Sequence, residues 1–596
     1  MSDDAWQPNF GHLTTQPPTW AAKRPLRVAL LGDFGGGALA GRLDAADALG
    51  RRKPLKVEFD TLEDAIGRLG LTLTLPIGAE GAAVEVPITD TESFHPDELY
   101  QNVEVFSALS DLRRRLNNPS TFAKAAAEVQ SWGDEALRKA SAVSRHSRAQ
   151  GAALSVSGTL DDFARLTGRP SRAQEADTEI DGLLRRIIGP FITPADSPDK
   201  ARLLAAVDAA LSDAMTAVLH QPDFQNMESL WRGVDFLLRR LETSHQLQVH
   251  LIDVSAEEFA ADLSSHDDLC ESGLYKLLVD TPSQEEDGGY SYIVGCYHFE
   301  ATPPQLELLG RAAMLGAAAG APFLSAIDTT AFSNRKEPPH RLVRDTVKAL
   351  RESPQASFLG LFGPRFLLRH PYGKKSEPIS SFAYEEFTRQ SGLRSMLWGH
   401  PALLALCVLC VRGAQLTIND LPFHHYLDED GDSTALPCTE RLVSTTVATL
   451  LRDMGINGLM AFKGQPLVRL TGVTAINGDG LATQAAPRSG LVVERGSVHS
   501  KTPVKTDWTP EARGGGTVTV STPMRTEEAD SDDTANAPED SSSDATETAA
   551  PAAEEAASAV DDELAALLAS LDTPAEPAAE EPAMDPDLEA LLKSLG

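Results

Sequence analysis

The chain has 596 residues, 42% of them apolar, and a formal net charge of −33 from 86 acidic and 53 basic side chains. That length exceeds one ordinary domain and supplies apolar surface for several folded units. The charge excludes a nucleic-acid binder, whose phosphate contacts need concentrated Lys and Arg. No apolar run reaches eighteen residues, and the opening MSDDAWQPNF has neither a basic nor an apolar segment, so a cytoplasmic protein without direct membrane insertion is expected. Five scattered cysteines fit a reducing compartment better than a disulfide framework.

Residues 1–23 are polar and proline-rich and are expected to be disordered. Arg24 to Leu31, RPLRVALL, then reads as a buried strand that runs into GDFGGGALAGR. A strand followed by glycines can bind phosphate, because small residues let backbone amides approach an anion. Here Gly32, Gly35, Gly36 and Gly37 fit neither GxGxxG nor a loop ending in Gly-Lys-Ser/Thr, so a plain strand exit is favoured over a nucleotide-binding enzyme. Pro54 to Phe59 and Leu71 to Leu75 read as strands around a helix, with Val84 to Ile88 a further strand. Asp90 or Thr91 is placed to cap, and Pro96 to open, a helix over Asp97 to Leu116. Its Leu99, Val103, Phe106, Leu109, Leu112 and Leu116 share one side, and Arg113 to Arg115 read as a solvated face.

Residues 133–178 are Ala-, Ser- and Arg-rich with few large apolar side chains, the composition of a linker. After it comes EIDGLLRRIIG, a helix ending near His220, and the stretch Gln221 to Arg239. There Phe224, Met227, Leu230, Trp231, Val234, Leu237 and Leu238 recur at three- and four-residue steps, a stripe that must be buried on a helix started by Pro222. A strand-like VHLIDVSAEEF follows, then a helix over Leu274 to Leu278. Alternation at Tyr290, Tyr292, Val294 and Cys296 predicts a strand with one packed face, and AAMLGAAAGAPFLSAI a helix of small residues.

Gly32, Asp33 and Phe34 within VALLGDFGGG, and Phe94, Pro96 and Asp97 within the turn FHPD, resemble the type VI secretion contractile sheath small subunit (TssB or VipA). That resemblance covers residues 24–132. Phe224, Trp231, Arg232 and Gly233 resemble a signature of the sheath large subunit (TssC or VipB). Arg369, Pro371, Tyr372, Gly373, Phe382, Glu385 and Glu386, then Trp398 and Gly399, continue it in order, and the whole spans residues 179–475. The resemblance implies an α+β fold of two sheath-type α/β modules joined by a linker, acting through assembly interfaces with no catalytic residue and no cofactor. It implies other sheath subunits as partners, with baseplate and inner-tube proteins and a ClpV-like recycling ATPase as further candidates. The family's C-terminal large-subunit region is not recognisable here, so weakened self-polymerisation is expected, and a non-polymerising sheath adaptor is the alternative.

Other chemistry fails on spacing. Cys407 and Cys410 form a CxxC on an apolar helical run, with His424, His425 and Cys438 downstream, but no second CxxC or HxxxH completes a zinc set. Asp428, Asp430 and Asp432 start a calcium-like loop that has Ser433 where glycine belongs and Thr439 where a glutamate ligand belongs. Glu385 and Glu386 are adjacent carboxylates with nothing to bring a substrate to them.

Residues 476–525 are Gly- and Thr-rich and expected to be weakly ordered, and 526–596 form an acidic tail, expected to be disordered, with 21 acidic residues against one lysine. The tail carries a repeat, DDELAALLASL at 561–571 and DPDLEALLKSL at 585–595. Leu564, Leu567, Leu568 and Leu571, and again Leu588, Leu591, Leu592 and Leu595, fall at i, i+3, i+4 and i+7. Such paired amphipathic helices are expected to dock an unidentified partner.

Overall fold

In the computed structural model, the described residues are 8–14, 18, 24–77, 82–132, 184, 187–188, 199–285, 288–334, 336, 338–411, 414–427 and 433–484. The strands are β1 (Leu26–Gly32), β2 (Leu55–Val57), β3 (Leu71–Ile77), β4 (Ala82–Ile88), β5 (Leu247–Asp253), β6 (Tyr292–Phe299), β7 (Phe323–Ile327) and β8 (Leu359–Gly363). They continue with β9 (Phe366–Leu367), β10 (Trp398–Gly399), β11 (Thr417–Ile418), β12 (His425–Leu427), β13 (Ser433–Ala435), β14 (Ile456–Ala461) and β15 (Val468–Leu470). The longer helices are α1 (Ala46–Gly50), α2 (Leu62–Leu69), α3 (Pro96–Asn102), α4 (Glu104–Asn117), α5 (Lys200–Leu219) and α6 (Pro222–Arg240). After them come α7 (Ala256–Ser265), α8 (Pro303–Ala319), α9 (Arg341–Glu352), α10 (Pro401–Cys410) and α11 (Thr445–Asp453). Helices and mixed sheets together make an α+β fold.

Nine strands form one sheet in the order β11-β15-β14-β8-β7-β6-β1-β5-β2. The six from β14 to β5 are parallel, and each strand outside them pairs antiparallel with its inner neighbour. The first strand among the described residues is therefore a central one. β1 lies between β5 and β6, with Leu26 to Gly32 in register with Leu247 to Asp253 and Val28 to Leu31 with Tyr292 to Gly295. Residues expected to belong to two modules thus share a sheet.

The sheet separates two apolar layers. Leu26, Val28 and Leu30 point to one, and Ala29 and Leu31 to the other, as the two-residue period of a strand requires. The first layer holds α2 to α6, α10 and the β3–β4 hairpin; the second holds α7, α8, α9 and α11. With helices on both faces, β6 is buried on both, which replaces the single packed face expected from its alternation. The bent pair α5 and α6 turns by 64° between helices, both buried in the first layer; no single described helix is long and apolar enough to cross a membrane.

Three expectations change. The helix foreseen over Asp97 to Leu116 is two helices, because Val103 adopts an extended backbone and buries its side chain while starting α4. Residues 8–14 are packed: Phe10 and Leu13 join the second layer and His12 bridges to Asp268. The boundary at 475 also moves, since Ile476 is buried and the amides of Ile476, Ala482 and Gln484 donate to carbonyls of Leu359, Ser357 and Gly320. The linker at 133–178 and the tail repeats lie outside the described residues.

Candidate functional site

The stripe foreseen on α6 is buried as expected at Phe224, Met227, Trp231, Val234, Leu237 and Leu238, while Leu230 is half-buried against Gly32. Gln221 caps the helix by accepting from the Phe224 amide. Gly233 has a packing reason: a Cβ there would fall 2.9 Å from Leu403 of α10, so the glycine lets two helices approach.

The same face carries a fully buried carboxylate. Glu228 accepts from Arg232 Nε at 2.7 Å one turn on and from Arg369 Nε at 2.7 Å. Arg369 continues to Glu386, Nη1 to Oε2 at 2.8 Å, and its guanidinium lies 4.1 Å from the centre of the Tyr372 ring. Glu386 also accepts from the Tyr372 amide at 2.8 Å, and His220 Nε2 stands 3.6 Å away. Two carboxylates and two guanidiniums balance. Burial opposes ionisation of Glu386, but the Arg369 charge, His220 and the Tyr372 amide outweigh it and hold the group down at about 2. Burial alone would lower Arg369; the charges of Glu228 and Glu386 overcome it and raise that group well above its ordinary value. A closed network of this kind makes no site for a substrate. It fixes α6 against the 369–386 segment.

Residues 33–100 meet this assembly through paired contacts. Phe34 stands edge-on to Trp231 at 5.2 Å, Phe94 to Phe224 at 5.6 Å, and His95 to Tyr372 at 5.0 Å. Tyr100 stacks on Phe382 at 5.4 Å. Asp97 accepts from the amides of Ser380 and Ser381 and from the Ser380 hydroxyl, at 2.9 to 3.1 Å. Burial works against the charge of Asp97, yet these donors hold it at about 2. The helix cap at this turn is His95, whose Nδ1 accepts from the Asp97 amide, in place of the Asp90 or Thr91 expected. Asp90 instead accepts from the amide and hydroxyl of Ser93.

The glycine loop after β1 is closed by carboxylates. Asp33 accepts from the amides of Gly37 and Ala38, and Asp253 from the amide of Gly35. Gly36 has φ +64, a left-handed conformation that suits glycine. The donors that a phosphate would use are thus taken by negative groups, which repel phosphate as well. Arg42 pairs with Asp253 at 2.7 Å and with Glu258 at 3.2 Å, and Arg52 bonds Asp44 and Glu258. Burial raises Asp33, and the nearby Asp253 adds to this; the Gly37 and Ala38 amides and Arg42 offset them in part.

The remaining predicted residues are scattered around these contacts. Adjacent Glu385 and Glu386 face opposite ways: Glu386 is buried, while exposed Glu385 accepts from the Lys374 amide beside Gly373. Trp398 and Gly399 form β10, paired with β9, and the Trp398 carbonyl accepts from Ser229 of α6. Pro371 accepts through its carbonyl from Ser376. Arg113, Arg114 and Arg115 pair with Asp208, Asp111 and Glu128. Cys407 and Cys410 are buried thiols of α10, and Cys438 donates to the Gln465 carbonyl. His220, Ser380 and Ser381 were not foreseen; the Glu228–Arg232 step of four residues was the one legible sign of the network.

Residues 201–477 match the model of the EvpB/VC_A0108 tail sheath N-terminal domain. Those residues are similar to the N-terminal domain of a type VI sheath large subunit. The type VI secretion system sheath protein TssC1 of Pseudomonas aeruginosa is 30% identical over 302 residues, 46% of this chain and 60% of that protein's length. Glu228, Arg232, Arg369 and Glu386 all fall inside the matched residues, whereas β1, Phe34, Phe94 and Asp97 precede them.

Proposed function

We propose that the chain is a structural subunit of a type VI secretion sheath, in which residues 24–132 serve as a built-in small-subunit-like partner of the large-subunit-like domain. The supporting observation is the pairing between the two segments: Phe34, Phe94 and His95 meet Trp231, Phe224 and Tyr372 of the later signature, and Asp97 meets the Ser380–Ser381 amides between its residues. Joining two partners in one chain raises their effective concentration for each other and sets their ratio at one to one. On this reading no residue is catalytic, and the chain acts in the cytoplasm through interfaces with other sheath subunits, and with baseplate or inner-tube proteins. Recycling by a ClpV-like ATPase belongs to the same reading. Electron microscopy tests it: the purified chain, mixed with separately made small and large sheath proteins, is expected to enter their tubes. A chain that neither forms nor joins such tubes overturns the proposal.

The tail favours a second reading, a sheath-associated adaptor. Leu564, Leu567, Leu568 and Leu571, and Leu588, Leu591, Leu592 and Leu595, give two leucine stripes in an acidic context. An eleven-residue segment is too short to hold a helix firmly alone, so both copies together are expected to hold one partner. Leu567→Asp with Leu568→Asp is expected to weaken joining of the tubes, and Leu591→Asp with Leu592→Asp added to abolish it. Unchanged joining by the fourfold variant sinks the adaptor reading and leaves the subunit reading intact.

A further inference from the structure

The segment 8–14 reaches the second apolar layer through contacts that all fall on one short groove. Its floor is α8 at Gly310, where an added Cβ would lie 2.0 Å from Cδ1 of Phe10, so the Phe10 ring rests on the bare helix backbone. Its wall is the turn after α7. The His12 amide donates to the Asp267 carbonyl and the Leu269 amide to the His12 carbonyl, both in the manner of a short β-bridge. Thr14 donates its hydroxyl to Asp268 at 2.5 Å, and Asn9 donates its side-chain amide to Asp267 at 3.0 Å. Leu13 packs against the same layer.

The groove is organised by a buried cation. Arg311 donates Nη1 to the carbonyls of Leu263 and His266, which fixes the turn, and Nε to the carbonyl of Asn9, which holds the segment. The segment also shapes itself. Asn9 accepts from the Gly11 amide, and Gly11 has φ +77, which turns the chain so that Phe10 points down and His12 runs along the wall. Aromatic seat, main-chain bridge and a hydroxyl on a carboxylate are the elements by which a short extended peptide is recognised.

We propose that the groove between α8 and residues 263–269 is a peptide-docking site whose ligand is the chain's own segment 8–14. The required features are an aromatic residue over Gly310, a glycine after it, and a hydroxyl residue four positions on. As a docked ligand, the segment can leave and return while the fold persists.

The full chain tests this, with a protease site inserted after Thr15 and a fluorophore at the N-terminus. After cleavage, anisotropy should show the labelled fragment retained, then released when unlabelled peptide of residues 8–14 is added in excess. Phe10→Ala should speed release roughly tenfold or more. Gly310→Ala should do the same, since alanine favours a helix more than glycine and so fills the seat without weakening α8. A fragment that no excess peptide displaces, a chain that loses its fold on release, or a Gly310→Ala variant that releases at the wild-type rate each overturns the proposal.

Discussion

Two charged clusters hold this molecule together, and they differ in one physical respect. Around Glu228, Arg369 and Glu386 the charges are buried and balanced, each carboxylate bonded to guanidinium. Around Asp33, Asp253 and Arg42 the groups are of the same kinds, but the Arg42 side chain remains 32% exposed and the carboxylates outnumber the arginines. In low dielectric a charge is either matched or ruinous, whereas at the surface water and salt share the work. The buried network should therefore act as an all-or-none fastener, and the loop cluster as a graded one.

The largest break should come from Arg369→Met. It strands Glu228 and Glu386 in the interior, at a cost of roughly 3–5 kcal/mol, measurable as a lower urea midpoint and insensitive to added salt. A loss below about 1 kcal/mol would show that the network is hydrated and the contrast false. Next is acid. Glu386 titrates at about 2 in the folded chain, below its unfolded value near 4.5, so its stabilisation is present above pH ~4.5 and fades as pH falls toward 2. The shift corresponds to roughly 3 kcal/mol, and Glu386→Gln should flatten that part of the stability profile. If the variant keeps the wild-type slope, other carboxylates carry the acid response.

Arg42→Ala should cost less than about 1 kcal/mol, a deficit that shrinks as salt is raised. A salt-independent loss of several kcal/mol would place this cluster in the same class as the buried one. The smallest effect concerns neither cluster directly. Proteolysis within 133–178 should leave the two fragments co-eluting on a sizing column, because β1 is hydrogen-bonded on both sides by strands of the later fragment. Fragments that separate would contradict that pairing.

Much of the fold was legible where one chain segment determines its own burial. The α6 stripe and the β1 run each declare a buried face through period alone. Val103 was not legible as a break, because its apolar spacing suits one continuous helix and only the packing of α3 and α4 selects two. Phe10 and Leu13 sit in a polar, proline-rich stretch, and their docking depends on Gly310 three hundred residues away. The charge network hid for the same reason. Glu228 and Arg232 signal one another, but nothing local announces that Arg369 and Glu386 close the set.

The position of β1 has a consequence in time. Residues 26–32 leave the ribosome before either neighbour, since both neighbouring strands lie beyond residue 246 and β6 ends at Phe299. At about 5–20 residues per second, the interval between making β1 and completing β6 is on the order of ten to fifty seconds. Throughout it, LRVALLG is an apolar strand with two unpaired edges, and pairing across so long a separation is intrinsically slow. The nascent chain must therefore shelter β1 until its partners are made, and a cell short of holding chaperones should lose this protein to aggregation before it loses proteins whose sheets close with neighbours in sequence.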